Sequence, residues 1–118
     1  MIYNKFHFQF GKFNLVEKST SIDWNGRDSI NLKDEFMIFE LVLRDKKIEF
    51  DINFDISASC DWEDCGNGYD EPFYSEQSNI DIDVIIKGIQ SEEDIDLDLK
   101  DKETYKILKK LVLSKINS

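Results

Sequence analysis

Apolar residues in this chain recur mainly at every second position. Residues 48–58 show it most clearly: Ile48, Phe50, Ile52, Phe54, Ile56 and Ala58 alternate with Glu49, Asp51, Asn53, Asp55 and Ser57. Successive strand side chains point to opposite faces, so this segment predicts a strand with one buried and one wet face. Residues 36–43 are a shorter, nearly continuous apolar run broken by Glu40, which predicts a core strand. Asp45, Lys46 and Lys47 form a tight polar connection between the two, so they predict an antiparallel hairpin. Alternation resumes at Ile80, Ile82, Val84 and Ile86, with Asp81 and Asp83 between them, and Gly88 ends that strand. Residues 2–10 read the same way, with Ile2, Phe6, Phe8 and Phe10 on one face of a half-buried strand. Gly11 then shifts the parity, because Phe13 and Leu15 continue the series on odd positions, as a turn or bulge would allow.

The period changes near the end. Tyr105, Leu108, Leu111, Val112 and Ile116 lie near one face of a helix over 101–116. Asp101 is placed to cap it, with Glu103 in the first turn and Lys115 in the last, where each suits the helix dipole. Residues 17–29 are polar and hold the turn dipeptide Asn25-Gly26. Residues 59–78, with Gly66, Gly68 and Pro72, predict a long loop of the kind that often carries function. Ser91 to Asp98 is acidic, with Ile95, Leu97 and Leu99 packing against an edge. The expected fold is α+β: one domain over 1–118, with a strand-rich body (1–100) and a C-terminal helix. An antiparallel sheet of about five strands makes up the body.

Charge sharpens this picture. The net charge is −10, yet residues 101–118 hold two acids against five lysines, so the acidity belongs to the body. From residue 48 to 86 there is no Lys or Arg, while Glu49, Asp51, Asp55, Asp61, Glu63, Asp64, Asp70, Glu71, Glu76, Asp81 and Asp83 are all acidic. Such a surface repels nucleic acid and attracts cationic proteins. If 48–58 and 79–86 are neighbours, Glu49, Asp51, Asp55, Asp81 and Asp83 share one face at roughly 5–7 Å spacing, which resembles a row of phosphates. The plain alternative is a solvated face kept acidic for solubility. In the loop, Trp62, Tyr69, Phe73 and Tyr74 stand among Asp61, Glu63, Asp64, Asp70 and Glu71, a pairing of aromatic anchors with a charged rim. The plain alternative there is aromatics that pin the loop to the sheet.

Other chemistries find little support. A calcium loop counted from Asp61 has Gly66 at its sixth position but Cys65 at the fifth and Pro72 at the twelfth. Cys60 and Cys65 lack both zinc-site partners and redox spacing, so no metal and no cofactor are expected, and whether the thiols join stays open. His7, the single histidine, has no surrounding motif, and no phosphate-binding or hydrolase signature occurs. Catalytic residues are therefore not expected. No signal peptide pattern opens the chain, and its apolar runs fall far short of the roughly 18–20 residues that span a bilayer. The expectation is a cytoplasmic protein with no membrane contact.

Residues 55–88 also carry a resemblance. A strand, an aromatic and glycine-containing loop, Tyr69-Asp-Glu-Pro72, a polar stretch and the alternating strand from Asn79 to Gly88 resemble small tailed-bacteriophage proteins. The acidic Leu-containing stretch and short helix over 96–116 extend the likeness. It implies interference with host defence or host enzymes, in the host cytoplasm, and names no catalytic residues. Residues and resemblance together lead to a small acidic, non-enzymatic inhibitor. It would bind a basic, nucleic-acid-handling protein such as a nuclease, in an anti-defence or anti-CRISPR role, and would not bind nucleic acid directly. A toxin-immunity protein, a phage structural subunit and a calcium-binding module are the alternatives.

Overall fold

The computed structural model describes residues 2–66, 68–69, 72 and 74–116. The alternation of 48–58 belongs to a strand much longer than itself. β4 runs from Lys47 to Cys65, and every even position from Ile48 to Cys60 is buried. It pairs antiparallel with β3 (Ser29–Val42) on one side and β5 (Tyr74–Gln90) on the other. β2 (Lys12–Lys18) adds to β3, giving a four-stranded sheet in the order β2-β3-β4-β5. A two-stranded parallel sheet joins β1 (Tyr3–Asn4) to β6 (Ile95–Asp96). The α+β architecture is therefore as expected, with the C-terminal helix packed on a mainly antiparallel sheet.

That helix, α2 (Lys102–Lys115), begins where its cap predicts. Asp101 accepts from the Thr104 amide (3.3 Å) and hydroxyl (2.8 Å), satisfying donors the first turn leaves unpaired. Leu108, Val112 and Ile116 are buried against the sheet. The Tyr105 hydroxyl accepts from the Ile86 amide (3.1 Å), which closes part of the open edge of β5.

Two expectations are corrected. Residues 2–10 are not a strand: after β1 comes a short helix, α1 (Lys5–Phe10). A capping box starts it, with Phe6 N–H donating to Asn4 Oδ1 (3.0 Å) and Asn4 N–H donating to His7 Nδ1 (3.2 Å). The helix separates the phenylalanines that a strand would align. Phe8 enters the core against Phe50 (ring centroids 5.0 Å apart), while Phe6 and Phe10 stay outside. Gly11 follows directly, because a Cβ there would meet Leu41 Cδ1 at 2.2 Å and the His7 carbonyl at 2.6 Å.

The predicted loop over 59–78 is mostly strand. β4 and β5 continue as a hairpin to Cys65 and Tyr74, beyond Ser29, where β3 begins. This two-stranded arm has little apolar alternation of its own, so no period reveals it. The arm helps make the molecule long, 66 × 28 × 21 Å. Bulges re-aim the sheet at Leu32/Glu35 and Ser59/Asp61, and Asp34 (φ 59°) and Asn79 (φ 51°) adopt left-handed backbone in them.

Candidate protein-binding face

Directly paired residues of antiparallel strands share a face. The register sets Glu49 opposite Glu40, Asp51 opposite Ile38 and Gln90, Asp55 opposite Ile85, Asp83 opposite Ser57, and Asp81 opposite Ser59. All five carboxylates therefore stand on the sheet's outer face, away from the core. The same face continues along the arm, where Asp61 pairs with Ser78, Glu63 with Glu76, and Cys65 with Tyr74. Sequence reasoning placed Asp61 and Glu63 in a loop and counted Glu76 among the acids of the stretch without assigning it to either candidate surface. The structure joins them to the sheet row, so one acidic stripe runs along the outer face of β4 and β5 from Glu49 to Glu63 and Glu76.

The stripe is not uniform. In its middle, two lysines answer it. Lys109 of α2 pairs with Asp83 (2.5 Å), and Lys87 contacts Asp34 (2.8 Å) and Asp55 (3.6 Å). The Lys87 side chain holds the Asp34 carboxyl below its ordinary range, and each lysine is raised by its acid. Asp55 also accepts from the Asp34 amide (3.0 Å), which ties it to the bulge. Asp51 differs again. Its Oδ1 is buried with no hydrogen-bond partner among the described residues, and desolvation raises its pKa. It lines an open groove of about 540 Å³ with Ile38, Glu49 and Gln90. Of the five predicted sheet acids, Asp55 and Asp83 are partly neutralised and Asp51 is half-buried. Glu49 and Asp81 are exposed, with no ion pair among the described residues.

The arm carries the stronger field. Asp61, Glu63, Asp64 and Glu76 are exposed and meet no Lys or Arg among the described residues. Asp61 instead accepts from the Asn79 side chain (2.7 Å), and Asp64 from the Ser75 hydroxyl (3.3 Å). Glu63 and Glu76 face each other directly, a like-charge pairing that costs roughly 0.2–1 kcal/mol. The surroundings register this charge. Glu76 pushes the Tyr74 hydroxyl up, and burial together with Glu76, Glu63 and Asp64 pushes the Cys65 thiol up.

The predicted aromatic anchors divide. Trp62 is half-buried on the core side of the arm, where its indole N–H donates to the Arg27 carbonyl (2.8 Å). It pins the arm to the 24–29 turn and is not offered to a partner. Tyr74 is exposed beside Cys65 on the acidic face, and Tyr69 is 93% exposed at the tip. Asp70, Glu71 and Phe73 lie outside the described residues.

Cys60 and Cys65 are free thiols on one strand, five residues apart and on opposite faces. Strand rise places them about 17 Å apart, far beyond the roughly 7 Å limit for a bridge. Among the described residues, no three His, Cys, Asp or Glu side chains converge as a metal site. No helix of the described residues is long and apolar enough to cross a membrane. No family model, curated protein or solved structure matches this chain.

Proposed function

We propose that the protein binds a basic, nucleic-acid-handling protein and blocks the surface that would hold nucleic acid. The observation that carries this reading is the acidic arm: Asp61, Glu63, Asp64 and Glu76 project past the sheet and form no ion pair with a Lys or Arg among the described residues. A narrow two-stranded ribbon with this charge suits a basic cleft better than a flat patch does. Glu49 and Asp81 extend the stripe onto the sheet. Tyr69 and Tyr74 supply aromatic area at the tip, so charge speeds encounter and the rings slow release. An anti-defence inhibitor in the host cytoplasm and an immunity protein against a cationic nuclease use the same chemistry.

The test is capture of partners from host lysate by immobilised protein, followed by association kinetics for the captured species over a range of salt. The variant Glu63→Lys/Glu76→Lys is expected to slow association at low salt and flatten its salt dependence. DNA is expected to compete with the wild type for the partner. An unchanged on-rate with no salt dependence would sink the proposal.

A further inference from the structure

At the end of the sheet away from the arm, α1 leaves an apolar stripe in water. Ile2, Phe6 and Phe10 are 61%, 66% and 70% exposed, and the Phe6 and Phe10 rings stand 5.1 Å apart. A spacing of four aligns Phe6 and Phe10 along one side of the helix, and Ile2 is exposed just before β1. Phe8, on the other side, is buried. Large aromatic side chains grouped on the surface mark an interface more often than single exposed ones do.

The charge beside the stripe says what fits. An open groove of about 430 Å³ borders Phe6 and is lined by Asn4, Lys5, Asp96, Asp98 and Asp101. Its lysine is already engaged, with Lys5 contacting Asp101 (3.2 Å) and Glu103 (3.0 Å). Asp96 and Asp98 meet no Lys or Arg among the described residues, so the groove offers carboxylates next to aromatic rings.

We infer that the α1 stripe and the Asp96/Asp98 groove form a second docking surface for a cationic amphipathic segment of another protein. The segment's apolar side chains would cover Phe6 and Phe10, and its Lys or Arg side chains would reach Asp96 and Asp98. A second copy of this chain fits less well, since it brings the same acids and a net charge of −10 against themselves. An anionic membrane surface meets the same repulsion. The surface does not involve the acidic arm, so this inference stands apart from the function proposed above.

The test uses two fluorescent synthetic helical peptides, one of Leu and Lys and one of Leu and Glu, titrated with the full chain. The Leu/Lys peptide is expected to bind. Phe6→Ser/Phe10→Ser should weaken it by about tenfold or more, as loss of a central aromatic anchor does. Asp96→Asn/Asp98→Asn should weaken it and reduce its salt dependence, while Ile85→Ser, on the outer sheet face, should leave it unchanged. Circular dichroism confirms that each variant is folded. The inference is overturned if no peptide binds, if the Leu/Glu peptide binds as well, or if the serine variant binds like the wild type. It is also overturned if the stripe instead mediates self-association in sedimentation or flotation with anionic vesicles, either one lost in the serine variant.

Discussion

Lys109 on α2 and Asp83 on β5 form an ion pair across 2.5 Å, so the C-terminal helix neutralises one acid of the very face that its strand presents. Both side chains remain partly exposed, and such a pair contributes little to folding. Lys109→Ala should therefore cost no more than about 0.5 kcal/mol in denaturant unfolding. It should also raise the low-salt association rate with a cationic partner, because Asp83 then joins the open field. A slower association would show that Lys109 itself contacts the partner.

Asp51 has the opposite character. Burial without a partner raises its pKa above the unfolded value, so the ionised form disfavours folding. Its contribution to stability is fully present below the unfolded carboxylate pKa and is lost as pH rises through the raised folded value. Asp51→Asn should therefore stabilise the protein by about 1 kcal/mol at neutral pH. The advantage should vanish in acid, where wild-type Asp51 is protonated as well. Thermal unfolding from pH 3 to 8 checks both the sign and the window.

The α1 register makes a sharp prediction. Phe8 sits 5.0 Å from Phe50, in a ring cluster with Phe13 and Phe39, so Phe8→Ala should cost about 3–4 kcal/mol. Phe6→Ala should cost under about 0.5 kcal/mol, since that ring is outside the core. A strand over 2–10 would make the two losses similar, and equilibrium unfolding of both variants distinguishes the cases.

Gly11→Ala should cost about 2 kcal/mol, because the new methyl meets both a fully buried Leu41 and the His7 backbone. The same unfolding measurement reads it, and a neutral result would show that the α1–β2 junction can shift.

Asp101 is held below its ordinary carboxyl range by Thr104 first and Lys5 second. Its stabilisation is present above the unfolded pKa and is lost as pH falls through the lowered folded one. Asp101→Ala should lower the melting temperature by a few degrees at neutral pH, with the difference shrinking in acid.

Much of this fold was legible because burial and period coincide. The even positions of 48–58 line the core, and the Leu108, Val112 and Ile116 spacing with the Asp101 cap placed α2 within a residue of its observed start. The failures have physical causes. Phe6, Phe8 and Phe10 alternate as a strand would, but the Asn4–His7 capping box and the pocket beside Phe50 favour helix, and nothing in a period of two discloses that. The arm's few apolar residues, Cys60 and Trp62 on one face and Cys65 and Tyr74 on the other, stand among acids and amides, so its strands carry too little apolar alternation to reveal a period. The acids at 49, 51, 55, 81 and 83 were correctly grouped by alternation. Their inequality came from contacts distant in sequence, Lys109 with Asp83 and Lys87 with Asp34, and from the burial of Asp51.

The length of the molecule has a practical effect on how it would be measured. Its radius of gyration is 18.2 Å, against about 13–14 Å for a rounded chain of this size. A gel-filtration column calibrated with spherical standards would read that stretch as extra mass and assign a single chain the elution of a heavier species. Light scattering or sedimentation equilibrium, which weigh particles without reference to their outline, would give the true stoichiometry.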